Sequence, residues 1–269
     1  MIGLLYLLLC FTTGWAICTY AFPELMDITK SSYHKKRICF NPYLLLLPAW
    51  YLVGTLCLTW ATYLTAFAFR GEAEPLHYAN VIVMPVACVC SAYFLYFKLV
   101  RKNKETVIDV RNDRSDIVEA DEVTKAPYTE GFLINNKNVQ KIELLLVAAI
   151  TVLALLLMWT TFFVKGNKLY VGLSVFSDFS PHIGMIRSFS YGNNFPTSYS
   201  HYAGADIKYH FMFHFLVGNL EFLGLRIDYA FNLPSMISFI SAFLLLYLLA
   251  LKITGKVGAG VLACLFFAF

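Results

Sequence analysis

Six stretches of this chain are apolar over a length that only a bilayer or a deep core accommodates. They run about 1–22, 43–69, 81–96, 142–164, 233–251 and from Val257 onward. A helix needs about 20 apolar residues to cross the hydrocarbon layer. Lipid also demands that every backbone polar group be satisfied within the segment. Those two conditions leave one fold class: an all-α, polytopic bundle of about six spans. Composition agrees, with 59% apolar residues, 14% charged residues and a mean hydropathy of +0.63; soluble domains carry about a quarter charged residues.

The first run has no basic leader region and no small-residue cleavage site, so it reads as a retained helix closed by Pro23. The third run is followed by a mixed-charge stretch, 98–141, with no apolar face, which reads as a solvated connector. Three regions result: a three-span region 1–97, the charged loop 98–141, and a core 142–269 whose long loop spans 165–232. The sixth run stops at Phe269 without a cap or exit loop, which reads as a chain cut short.

Lys and Arg fix the expected orientation. Of the 21, 15 fall in the loops after the first, third and fifth runs, and 6 in the loops after the second and fourth. The N-terminus and the 165–232 loop are therefore expected outside, with Asn167, Asn193 and Asn219, and residues 104–137 inside. The net charge of +4 bears on topology and lipid headgroups. Nothing in the chain has the basic-aromatic pattern of a nucleic-acid binder. All seven cysteines lie in or beside apolar runs, without disulfide or zinc spacing, and Cys88-Val-Cys90 reads as small-residue helix packing.

The 165–232 loop is too rich in Phe, Tyr, Met, Ile and Leu for a solvated linker. Ser180-Pro181 has the form of a helix cap followed by a first-turn proline, predicting a helix to about Tyr191. A second helix is expected over about 207–223. Both are expected to lie in the membrane interface, apolar side down. Asp178 would precede the first helix, either as a capping or loop carboxylate or as a general base or metal ligand, with His182 one turn on. His210 and His214 have the one-turn spacing that can hold zinc, but Phe211 excludes the metalloprotease pattern; histidines facing headgroups or a polyanion are the alternative. Arg187, Lys208 and Arg226 are candidate phosphate contacts, or ordinary snorkelling cations.

From Phe176 onward the chain resembles the membrane-embedded GT-C glycosyltransferases, in the branch of the dolichyl-phosphate-mannose protein mannosyltransferases and aminoarabinose transferases. The resemblance rests on Ser177-Asp178 followed by HIGMIRSFSYG, on Tyr209-His210-Phe211-Met212 before FHFLVGNLEFLG, on Ala230-Phe231-Asn232-Leu233-Pro234-Ser235, and on KITGKVGAGVLACLFFAF. It departs in having one acidic residue where the family has two, in lacking prolines after His210, and in Asn232 where arginine is expected. The resemblance implies a sugar donor on a polyprenyl phosphate and a glycan, lipid or protein acceptor. It implies Asp178 as base and His210 at the family's histidine; His182, Arg187, Lys208 and His214 are expected as further substrate contacts from their proximity in the chain alone. Some members use a divalent metal; no cofactor is readable here. A bacterial plasma membrane and envelope glycans are the expected setting. The rival expectations are a transporter or flippase of a lipid-linked or anionic substrate, and a non-catalytic envelope-assembly protein.

Overall fold

A computed structural model of the chain describes residues 2–26, 40–112, 137–202 and 204–268. The elements are α1 (Ile2–Ala21), α2 (Pro23–Met26), α3 (Tyr43–Ala68), α4 (Pro75–Asn112), α5 (Lys137–Thr161), β1 (Phe162–Lys165), β2 (Lys168–Val171), α6 (Phe176–Ser190), α7 (Met212–Phe222), α8 (Ile227–Thr254) and α9 (Val257–Ala268). Among the described residues, segments of α1, α3, α4, α5 and α8 are long and apolar enough to cross a membrane. The molecule is an all-α membrane helix bundle. Its sixth apolar run forms the shorter α9, of 12 residues.

Helix α1 crosses α3 at two glycines. A Cβ on Gly14 would run into the Trp50 carbonyl, and one on Gly54 into the Cys10 carbonyl. In lipid, such small residues let backbones approach and gain dispersion contacts. A polar layer sits within this packing. Tyr6 Oη and Thr62 Oγ1 are 2.9 Å apart, and the Asn80 and Asn219 amides exchange two hydrogen bonds of 2.6 and 3.2 Å. Tyr51 Oη donates to the Pro234 carbonyl at 3.2 Å, joining α3 to α8. The three N-terminal spans and the 142–269 region thus share one bundle.

The path of the chain gives that bundle two distinct ends. One end gathers the 69–74 turn and everything from Phe162 to Arg226, with the start of α1 bonded there through Gly3 N to the Leu223 carbonyl. The opposite end gathers Phe40–Pro42, the far end of α4, the start of α5 and the turn at Gly255. There the carboxylate of Glu143, 3% exposed, accepts from Asn41 N and Tyr247 Oη, each at 3.2 Å.

Several expectations are corrected. The connector after the third run is not all loop: α4 stays helical to Asn112 and α5 starts at Lys137. Residues 113–136 lie outside those described. The fourth span ends at Thr161, because the chain turns there into an antiparallel hairpin, β1–β2. The hairpin has a local signal in the sequence, the two-residue Gly166-Asn167 turn between FFVK and KLYV, which the apolar reading of 142–164 passes over. The fifth span begins at Ile227 rather than Leu233. Its early start is stabilised by Asp228, whose carboxylate sits in the first turn and accepts from Arg226 Nε and Nη2 at 2.6 and 2.7 Å. Ala230–Ser235 accordingly lies within α8.

Candidate functional site

Helices α6 and α7 form a layer across the first end of the bundle. α6 is amphipathic: Met185, Ile186, Phe189 and Ser190 are buried, while Asp178 and Arg187 are exposed. It begins at Phe176 rather than at Pro181. A tight turn, with Val175 N on the Gly172 carbonyl, leads into the first helical turn, where Asp178 N and Phe179 N both reach the Val175 carbonyl at 3.1 Å. Asp178 therefore lies inside that turn, not ahead of the helix. Its carboxylate meets the positive end of the helix dipole, worth about 0.3–1 kcal/mol. It makes no side-chain hydrogen bond or ion pair among the described residues.

α7 corrects the picture of two helices lying apolar side down. All eight residues from His214 to Glu221 are buried. Phe215 belongs to the apolar cluster with Met185 and Phe189, while Leu216, Val217 and Leu220 belong to the cluster with Tyr6 and Ile186. The helix is a wedge between two cores, not a surface float. Asn219, expected as an outside residue, is 0% exposed. Gly218 permits the contact with α6, since a Cβ there would lie 2.6 Å from the Ile186 carbonyl.

α7 also starts late, at Met212 instead of 207. The chain before it is engaged elsewhere: Tyr199 N bonds the Ala205 carbonyl at 2.9 Å, Ile207 N the Thr197 carbonyl at 3.4 Å, and Ser198 bridges Asp206. His210 consequently falls outside the helix, so His210 and His214 are not one turn apart on a shared helical face. His210 stacks on Tyr209, centroids 3.8 Å apart.

The histidine that His214 does meet is His182. His182 Nδ1 and His214 Nε2 are 2.7 Å apart, with the rings stacked at 4.8 Å. One ring donates to the other. Tyr209 closes the cluster, 6.4 Å from His182 and 6.1 Å from His214. Burial pushes His214 down to about 4, with the His182 and His210 charges acting the same way. The His210 backbone carbonyl opposes this without closing a hydrogen bond to Nδ1, which has no partner. At neutral pH His214 is an uncharged imidazole. It can pass or share a proton, but it does not neutralise a phosphate.

The structure thus brings His182, His214 and His210 together, with Asp178 one turn from His182. Arg187 and Lys208 are not part of that cluster. Arg187 Nε lies 3.5 Å from Glu221 Oε1 and its guanidinium lies over the Tyr191 ring at 5.9 Å. Lys208 is exposed. Among the described residues no group of three or more His, Cys, Asp or Glu side chains is placed to hold a metal ion. His182 Nδ1 and His214 Nε2 are occupied by their mutual hydrogen bond, which leaves His214 Nδ1 as the buried ring nitrogen without a partner.

Three side chains here escaped the sequence reading. Glu221 is 7% exposed and accepts from Ser190 Oγ at 2.8 Å, locking α7 to α6. His201 Nε2 bonds the Pro181 carbonyl at 2.8 Å, and its ring fills the space that a side chain at position 184 would need. Asn80 is the third; it falls just before the expected third run, because α4 starts at Pro75, and its partner Asn219 falls in the expected outer loop. Comparison with protein-family models, with curated proteins and with solved structures finds no match to this chain.

Proposed function

We propose that this chain is a membrane-embedded glycosyltransferase that moves a sugar from a polyprenyl-phosphate donor to a glycan, lipid or protein acceptor. The observation that supports the reading is Asp178: an exposed, unpartnered carboxylate in the first turn of a juxtamembrane helix, reached from a span through one short hairpin. A carboxylate so placed is free to take a proton. In the proposed step the acceptor O–H gives its proton to Asp178 and the oxygen bonds to the anomeric carbon. The C–O bond to the lipid phosphate breaks, and the phosphate leaves with that electron pair. His182 lies one turn from Asp178, and its pairing with His214 holds α6 against α7 at that level. No step is routed through a metal. On this reading the α6–α7 end faces outward from a bacterial plasma membrane, as the Lys and Arg distribution favours.

A second reading, a non-catalytic envelope-assembly protein of the same shape, is favoured by one observation: Arg187, on the same helix as Asp178, is engaged with Glu221. A photoreactive polyprenyl-phosphate sugar in proteoliposomes distinguishes the two. The transferase reading expects crosslinks in 176–190 and 207–214 together with transfer by the unmutated chain; crosslinks elsewhere, or no transfer, favour the second reading.

A further inference from the structure

The β1–β2 hairpin and the turn after it carry cations and apolar surface that neither the spans nor the α6–α7 layer uses. One face of the hairpin is internal: Phe162 is 1% exposed, and Val164 and Val171 pack against the same core. The other face is external. On it Phe163 stacks on Tyr170, centroids 5.1 Å apart and 5° from parallel, and Lys165 stands opposite Lys168 across the turn. Both lysines are exposed, and neither has an acidic partner among the described residues. No Asp or Glu occurs from Phe162 to Ser177. Beyond the hairpin, Leu173 is 92% exposed and Phe176 66%.

The depth of these groups follows from their anchors. The hairpin starts at the residue after α5, a span. Trp159 in the last turn of α5 meets Tyr229 in the first turn of α8 at 6.2 Å, the aromatic pairing typical of the bilayer interface. A strand rises about 3.3 Å per residue, so four residues reach about 13 Å. The headgroup layer is about 5–8 Å deep on each side. The lysines at the tip are then within side-chain reach of phosphates, while Leu173 and Phe176, at the base, are level with the acyl boundary. The hairpin is held rigidly: Asp228 Oδ2 accepts from Val164 N at 3.0 Å and Asn232 Nδ2 donates to the Phe162 carbonyl at 2.7 Å.

We infer that residues 162–177 form a docking surface for anionic phospholipids. Lys165 and Lys168 contact the headgroup phosphates, and Leu173 and Phe176 enter the acyl boundary. Charge complementarity selects this occupant over a protein: two exposed cations with no acidic partner among the described residues, at headgroup depth, above exposed hydrocarbon. The inference is independent of the transfer chemistry, and it names a role for cations that lie outside the histidine cluster.

The test uses the full chain with its four tryptophans replaced by phenylalanine and a reporter introduced as Leu173→Trp. The protein is reconstituted in phosphatidylcholine vesicles containing about a tenth of brominated phosphatidylglycerol or, separately, brominated phosphatidylcholine. Near-surface lysines enrich anionic lipid by about five-fold each, so quenching by the phosphatidylglycerol should exceed that by phosphatidylcholine several-fold. Lys165→Gln with Lys168→Gln should equalise the two, and raised salt should act in the same direction. Equal quenching in the parent chain, no quenching by either lipid, or an excess that survives both lysine substitutions overturns the inference. If Leu173→Trp fails to fold, Phe176→Trp carries the same comparison.

Discussion

Acidification should weaken the α6–α7 layer through one ring. His214 is 3% exposed and its folded-state pKa is pushed down from 6.5 to about 4. The unfolded chain therefore binds a proton that the folded chain refuses. For a depressed histidine the stability is complete above the unfolded value and is lost as pH falls toward the folded one. Between pH 7 and pH 5 the loss is about 2 kcal/mol, roughly thirty-fold in the folded-to-unfolded ratio, and it levels off near 3 kcal/mol below pH 4. The structural consequence is local. A protonated His214 has no acceptor at Nδ1 and loses the option of accepting from His182.

Unfolding of the full chain in mixed micelles, followed by tryptophan emission at fixed ionic strength, measures this. The comparison is with His214→Phe, which fills a similar volume and cannot titrate; His182, half-buried, then turns to water. The wild type should lose about 2 kcal/mol more than His214→Phe on going from pH 7 to pH 5. Parallel pH profiles for the two proteins would refute the assignment of the loss to His214.

Four further outcomes follow from named contacts. Glu221→Leu should cost about 1–3 kcal/mol by stranding the Ser190 hydroxyl, while Glu221→Gln should recover most of it, read by the same unfolding assay. Asn219→Leu should cost a similar amount through the Asn80 amide, and Asn80→Leu combined with Asn219→Leu should cost less than the two single losses added. Gly218→Val should separate α6 from α7 and cost at least about 1–3 kcal/mol, because the Ile186 carbonyl is backbone and cannot swing aside. Single cysteines at 71, 167 and 193 on a cysteine-free background should label from one side of the membrane and one at 120 from the other, with 219 resisting label; opposite sidedness of 71 and 167 would break the described topology.

The spans were legible because lipid imposes length and apolarity directly, and α3 begins and ends within one residue of its expected bounds. The membrane-facing layer was less so. α6 was visible as Ile183, Met185, Ile186 and Phe189 at helical spacing, but its start was not. Ser180-Pro181 mimics a cap, whereas the turn at Gly172–Val175 delivers the chain five residues earlier. α7 looked interfacial because its sequence mixes Phe and Leu with His, Asn and Glu. Those polar residues each answer a partner from another element: His182, Asn80, and Ser190 with Arg187. A pairing 31 to 139 residues apart leaves no local periodicity to read. The hairpin did carry a local signal in Gly166-Asn167, but its anchors Asp228 and Asn232 lie more than 60 residues downstream.

Sugar transfer by Asp178→Asn tests the central claim most directly. Asp178 makes no side-chain hydrogen bond among the described residues and Asn is nearly isosteric, so the variant should insert and fold normally. An amide is not basic at neutral pH, so if Asp178 takes the acceptor's proton the rate should fall about 10²–10⁴-fold. His210→Ala should instead weaken donor binding more than folding. The assay is transfer from a polyprenyl-phosphate sugar in membranes with matched protein levels. The predicted result is a near-complete loss in Asp178→Asn with unchanged expression; transfer at the wild-type rate would contradict the assignment of Asp178 as the base.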